Sequence, residues 1–176
     1  MTDTPDVVTR AFDRHDAFTP STDGFELDTT VFDAVVTAGP ADGERDGSFH
    51  VEVRLPTLDA AVAGETVHEA VEAGWFETLE LRLEDTFDVA TTSTHDEPTV
   101  ARETENDVVI VELDFVSWTA SDGVDDAKAL VEFVEGTYAQ GIVPGYEYHG
   151  PAAQLLENAV QNSENATERH GRGPAP

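Results

Sequence analysis

The chain has no cysteine, one lysine and one methionine, and these shortages close off chemistry before any motif is sought. Without cysteine there is no disulfide framework, zinc ribbon or thiol nucleophile, and the redox compartment leaves no mark. No apolar run approaches the roughly 20 residues needed to cross a bilayer. The first 14 residues lack the apolar centre of a secretory signal. The expectation is a cytoplasmic protein with no membrane partner.

The shortage of positive charge is the most informative. Lys128 is the sole lysine, and 9 Lys plus Arg oppose 37 Asp plus Glu, a net charge of −28. Self-repulsion of this size works against a compact state unless salt screens it, and at molar salt the Debye length is about 3 Å. Strongly hydrated ammonium groups on long stems have given way to short carboxylates. A concentrated-salt cytoplasm is the setting in which this composition makes sense. The carboxylates run through nearly every predicted element and do not gather in a tail, which argues against nucleic-acid mimicry and calcium buffering. A nucleic-acid partner is not favoured, although screening weakens net charge as a criterion. Another protein is the partner class left open, and oligomeric state is not legible.

What is present is enough for a core. Of 176 residues, 39% are apolar, with nine Phe, three Tyr and two Trp in short periodic runs. One domain of ordinary size follows, an α+β body over residues 1–161, with a disordered tail over 162–176 where apolar residues vanish.

Thr4-Pro5-Asp6 reads as a helix opening with a hydroxyl cap, ahead of Val8, Ala11, Phe12 and His15 at helical spacing, a helix over about 5–18. A turn at residues 19–24 breaks it. Phe25 and Leu27, then Phe32, Ala34 and Val36, alternate as two strands or one bent strand. Phe49, Val51, Val53 and Leu55 alternate with His50, Glu52 and Arg54, a strand with one wet face. A linker leads to Thr66 and Glu69, three apart in a capping box, and a helix over 67–86 weakened at Gly74. Residues 99–103 and 108–118 form a hairpin. Its second strand is apolar on both faces at its start, so it lies inside the sheet or under a helix. Ser121-Asp122-Gly123 opens a third helix, with Ala127, Leu130, Val131 and Val134 as its stripe and Gly141 in the left-handed conformation ending it. A short fourth helix runs over 151–160. The expected fold is an antiparallel sheet of about five strands with helices on one side, in the order α-β-β-β-α-β-β-α-α.

Catalytic patterns are scarce. Glu65 and His68 have the spacing of a di-iron carboxylate helix but no second such pair exists. His68-Glu69 opens like a zinc-protease helix, yet Glu72 stands where the second histidine belongs. The six histidines are far apart with no ligand spacing, and no nucleophile elbow, phosphate loop or calcium loop occurs. No catalytic residue, metal or cofactor is assigned. One segment departs from the background: all three tyrosines fall between Tyr138 and Tyr148, among glycines and prolines that force an irregular path. Tyr138, Tyr146, Glu147, Tyr148 and His149 are the candidate binding residues, because rings with polar tips on a constrained loop suit a ligand or a peptide.

The predicted element order resembles the small fold shared by type III secretion chaperones and YbjN-like proteins, and that resemblance implies a binding module. A closer one rests on Phe12-Asp13-Arg14-His15, Arg54-Leu55-Pro56-Thr57-Leu58, Gly74-Trp75-Phe76-Glu77 and residues 128–151. Over most of residues 5–158 the chain is similar to a family of small acidic haloarchaeal proteins carrying a domain of unknown function. This resemblance implies salt adaptation and no activity. The leading expectation is a non-enzymatic protein-binding or regulatory module that uses a sheet face or the Tyr138–His149 loop. The alternative is a small-metabolite enzyme using that loop, with Tyr138, Glu147, Tyr148 or His149 as acid-base groups.

Overall fold

The computed structural model describes residues 3–171, with side chains described as far as Gln161. The expected tail over 162–176 falls on the last helix as far as Gly171, and residues 172–176 lie outside the described residues. Among the described residues the order is α1 (Asp6–Asp13), β1 (Phe18–Ser21), β2 (Gly24–Leu27), β3 (Asp33–Gly39), β4 (Gly47–Pro56), α2 (Leu58–Ala61), α3 (Glu69–Leu83), β5 (Thr94–His95), β6 (Thr99–Glu103), β7 (Val108–Ser117), α4 (Ala120–Gln140) and α5 (Gly150–Gly171). The class is α+β with an antiparallel sheet, as expected. The sheet has seven strands where about five were expected, in the order β1-β2-β3-β4-β7-β5, with β6 also on β7.

The extra elements are short ones. Residues 19–21, expected as a turn, form the edge strand β1, in which Thr19 lies opposite Glu26 and Pro20 opposite Phe25. Pro20 is tolerated because an edge strand does not need every donor. β5 and β6 follow one another along the same edge of β7, and β5 covers two residues. The linker after β4 hides α2, whose first turn is capped by Thr57 Oγ1 accepting from Ala60 N at 3.2 Å. Asp59 Oδ1 then accepts from Val67 N at 2.8 Å, and Glu72 Oε2 accepts from Asp59 N at 3.0 Å, tying the linker to α3.

Three local expectations are corrected. The cap of α3 is His68, whose Nδ1 accepts from Ala70 N at 3.1 Å, so the box between Thr66 and Glu69 does not form. Thr4 is not the cap of α1: Pro5 occupies that position and Thr4 Oγ1 donates to the Ala38 carbonyl. Gly141 ends α4 at φ −86°, its N–H shared between the Thr137 and Tyr138 carbonyls, so no left-handed residue is needed there. The left-handed residues of this segment are Gly145, at φ 99°, where Pro144 and Gly145 turn the chain, and Gly150, at φ 63°, where α5 begins.

Alternation along the strands decides the layers. Phe49, Val51, Val53 and Leu55 of β4 are buried, as are Val109, Val111, Leu113 and Phe115 of β7, while the residues between them are not. All ten residues of β4 pair with β7. The inward rows meet α4, whose buried Val124, Ala127, Val131, Val134 and Tyr138 recur every three or four residues. Phe12 of α1 stacks on Phe25 with centroids 4.0 Å apart, closing the core beneath β2. Trp75, Leu79, Val51, Val53, Leu113 and Val131 belong to one apolar cluster. No helix among the described residues is long and apolar enough to cross a membrane.

Candidate functional site

The tyrosine segment forms a corner bound to the linker after β4. Tyr138 is fully buried, and its hydroxyl donates to the Pro56 carbonyl at 3.1 Å. Burial, reinforced by the nearby Tyr148 and Glu72, pushes its phenol well above the ordinary tyrosine range. Tyr148 is half-buried and donates to the Val143 carbonyl, and burial raises its pKa as well. Around it, Ala63 N donates to the Glu147 carbonyl at 2.7 Å and His149 N to the Ala61 carbonyl at 3.0 Å. Tyr146 is half-buried against the core, and only the side chains of Glu147 and His149 stand mostly in solvent. The structure thus brings the five candidates to one corner of the fold, with two hydroxyls held by backbone carbonyls and two polar groups outside.

A second constellation is built on the face of the sheet opposite the helices. β4 presents Ser48, His50, Glu52 and Arg54 there, and β7 presents Ile110, Glu112, Asp114 and Val116. Register sets His50 directly opposite Asp114, Glu52 opposite Glu112, and Arg54 opposite Ile110. Thr37, Val35 and Asp33 of β3 extend the same rows, and Glu26 lies opposite Val35. His50 Nδ1 lies 2.7 Å from Asp114 Oδ1, and its Nε2 lies 3.7 Å from Glu112 Oε1. One donor atom from each of His50, Glu52 and Glu112 falls within 4.8 Å of the others. Among the described residues, no lysine or arginine comes within 4.0 Å of Glu52, Glu112 or Asp114.

This face is concave. One hollow of about 580 Å³ is walled by Thr37, Ser48, His50, Asp96, Asp114 and Val116. Another of about 490 Å³ is walled by Glu26, Asp33, Val35, His50, Glu52 and Arg54. His50 borders both. Just past β7, Trp118 is 62% exposed with the Arg45 guanidinium 5.1 Å from its ring centroid. Sequence reasoning missed this constellation because His50 and Glu112 are far apart in the chain and only the β4–β7 register joins them. The legible signal was the wet face of each strand: a histidine and acids at alternate positions, with no statement of which residue faces which.

A family model described as a family of unknown function (DUF5813) matches residues 13–158. Comparison with curated proteins and with solved structures finds no match.

Proposed function

We propose that this chain, which belongs to that family of unknown function, is a non-enzymatic binding module that holds a basic segment of another protein on the open face of its sheet. The observation that carries the reading is the outer side of β4 and β7, the two longest strands and both interior to the sheet, which the described helices leave bare. A sheet of this size with its described helices on one side leaves Val35, Ile110 and Val116 between rows of carboxylates. Glu26, Asp33, Glu52, Glu112 and Asp114 outnumber Arg54 there, which favours a cationic partner. Trp118 is an exposed ring of the kind that anchors interfaces.

The setting we infer is a concentrated-salt cytoplasm of the haloarchaeal kind, supported by the net charge of −28. The mode we have in view is that of the type III secretion chaperones and YbjN-like proteins, which hold other chains without chemistry on them. At high salt the ionic part of such an interface is screened, so the apolar residues and Trp118 supply most of its affinity.

The test is site-specific photo-crosslinking in cells, with a benzophenone side chain in place of Val116 on the sheet face or of Leu81, which is 65% exposed on α3. A discrete adduct from position 116 whose partner peptide carries lysines or arginines, lost on Trp118→Ser, supports the reading. Adducts from position 81 alone, or an acidic partner peptide at 116, would overturn it.

A further inference from the structure

Two glutamates placed opposite one another on adjacent central strands oppose the stability of the sheet, because like charges at a cross-strand pair repel. Glu52 and Glu112 are such a pair, and no lysine or arginine among the described residues reaches them within 4.0 Å. The imidazole of His50 stands beside them with its two nitrogens in different surroundings. Its Nδ1 lies 2.7 Å from the Asp114 carboxylate, and its Nε2 faces Glu112 Oε1 at 3.7 Å, too far for a hydrogen bond.

We propose that His50, Glu52 and Glu112 bind a first-row divalent cation, zinc or manganese, with Asp114 holding the imidazole in the orientation that presents Nε2 to the ion. The donor set fits that class. One imidazole and two carboxylates match the borderline ions better than magnesium, which keeps its own waters, or calcium, which takes only oxygens. A carboxylate on the far ring nitrogen of a ligating histidine is the usual partner in such sites, since accepting a hydrogen bond from Nδ1–H fixes the tautomer whose Nε2 lone pair is free.

The distances are close to what an ion requires. Metal bonds of about 2.0–2.1 Å at tetrahedral angles put neighbouring donors roughly 3.3 Å apart. The nitrogen and the Glu112 oxygen are 3.7 Å apart, and all three donors lie within 4.8 Å of one another. Rotation of the two glutamate side chains closes the remainder without moving the strands, whose register is fixed over ten pairs. The outer side of the site is open to water, which completes the coordination. His50 borders both hollows of the sheet face and Glu52 borders the second, so an ion held there would also remove charge from the surface offered to a partner.

This inference does not rest on the partner reading, and the test separates the two because it uses the full chain with metal alone. Zinc chloride and manganese chloride are titrated into the protein calorimetrically in molar KCl, where a Debye length of about 3 Å suppresses diffuse counterion association. One ion bound per chain is the expected result, with His50→Ala weakening binding more than tenfold and Asp114→Asn weakening it by about 10- to 100-fold. Glu80→Gln, an exposed acid on α3, should leave the titration unchanged. A zinc-dependent shift of the His50 Nε2 resonance localises the ion without any substitution, and decides the matter if His50→Ala perturbs folding. Absence of binding in molar KCl, binding indifferent to His50→Ala, or an unmoved Nε2 resonance under saturating zinc would overturn the proposal.

Discussion

Gly123 of α4 lies so close to Phe49 of β4 that a Cβ on the glycine would sit 2.3 Å from the ring's Cζ. The ring has no room to yield, since it stacks on Phe115 with centroids 5.1 Å apart and lies 6.2 Å from Phe12. The closest approach of α4 to the sheet is therefore set at this residue. Gly123→Ala would gain helix propensity on an exposed helix, but here it forces apart a packed core and should cost about 1–3 kcal/mol. Gly136, on the same helix with nothing within 4 Å of its would-be Cβ, gives the opposite sign: Gly136→Ala should gain roughly 0.5–1 kcal/mol. Urea melts of the two variants in high salt check both, and equal effects would mean that the Phe49 contact does not set the spacing.

A second prediction concerns Asp126, which is buried within the stripe of α4. Its carboxylate accepts from Thr91 N at 2.8 Å, Thr92 N at 3.0 Å and Thr91 Oγ1 at 3.0 Å, and so fastens the segment before β5 to the helix. Asp126→Ala leaves two backbone donors unpaired and should cost about 3 kcal/mol. Hydrogen exchange at Thr91 and Thr92 should accelerate in that variant ahead of the core strands. Protection unchanged at these two amides would refute the fastening role.

Tyr138 makes stability depend on alkaline pH. Its folded-state pKa lies above the ordinary value, with burial as the main cause. The folded chain therefore keeps a proton that the unfolded chain has lost, and stability is fully present below about pH 10 and falls above it, by up to about 1.4 kcal/mol per pH unit. Tyr138→Phe should lose roughly 1 kcal/mol near neutrality, through the missing bond to Pro56, and should flatten most of the alkaline fall. Chemical melts across pH 8 to about 11.5 read this directly. An unchanged alkaline slope in the variant would assign the effect to other groups.

The net charge sets the last prediction. With −28 charges on 176 residues, stability should rise steeply between about 0.1 M and about 3 M KCl as repulsion is screened. Equal thermal midpoints at the two salt concentrations, followed by circular dichroism, would contradict the concentrated-salt reading.

Periodicity alone determined the inward rows of β4 and β7 and the stripe of α4, because burying one face of a strand or helix demands apolar residues at fixed intervals whatever the partner. Composition alone determined the charge and ruled out thiol chemistry. The short elements β1, α2 and β5 escaped because two to four residues carry too little pattern to outweigh Pro20, the linker composition or the acids around them. Single-residue termini escaped too: His68 rather than Thr66 caps α3, since the chain's entry angle decides which side chain reaches the free N–H groups. Tertiary structure decided the tyrosine corner and the sheet-face constellation. That Tyr138 would find the Pro56 carbonyl, and that His50 would meet Asp114 with Glu52 opposite Glu112, depends on strand register and on which face the helices leave bare. Those are non-local choices made by the packing of the whole core, and alternation within a single strand carries no record of its neighbour.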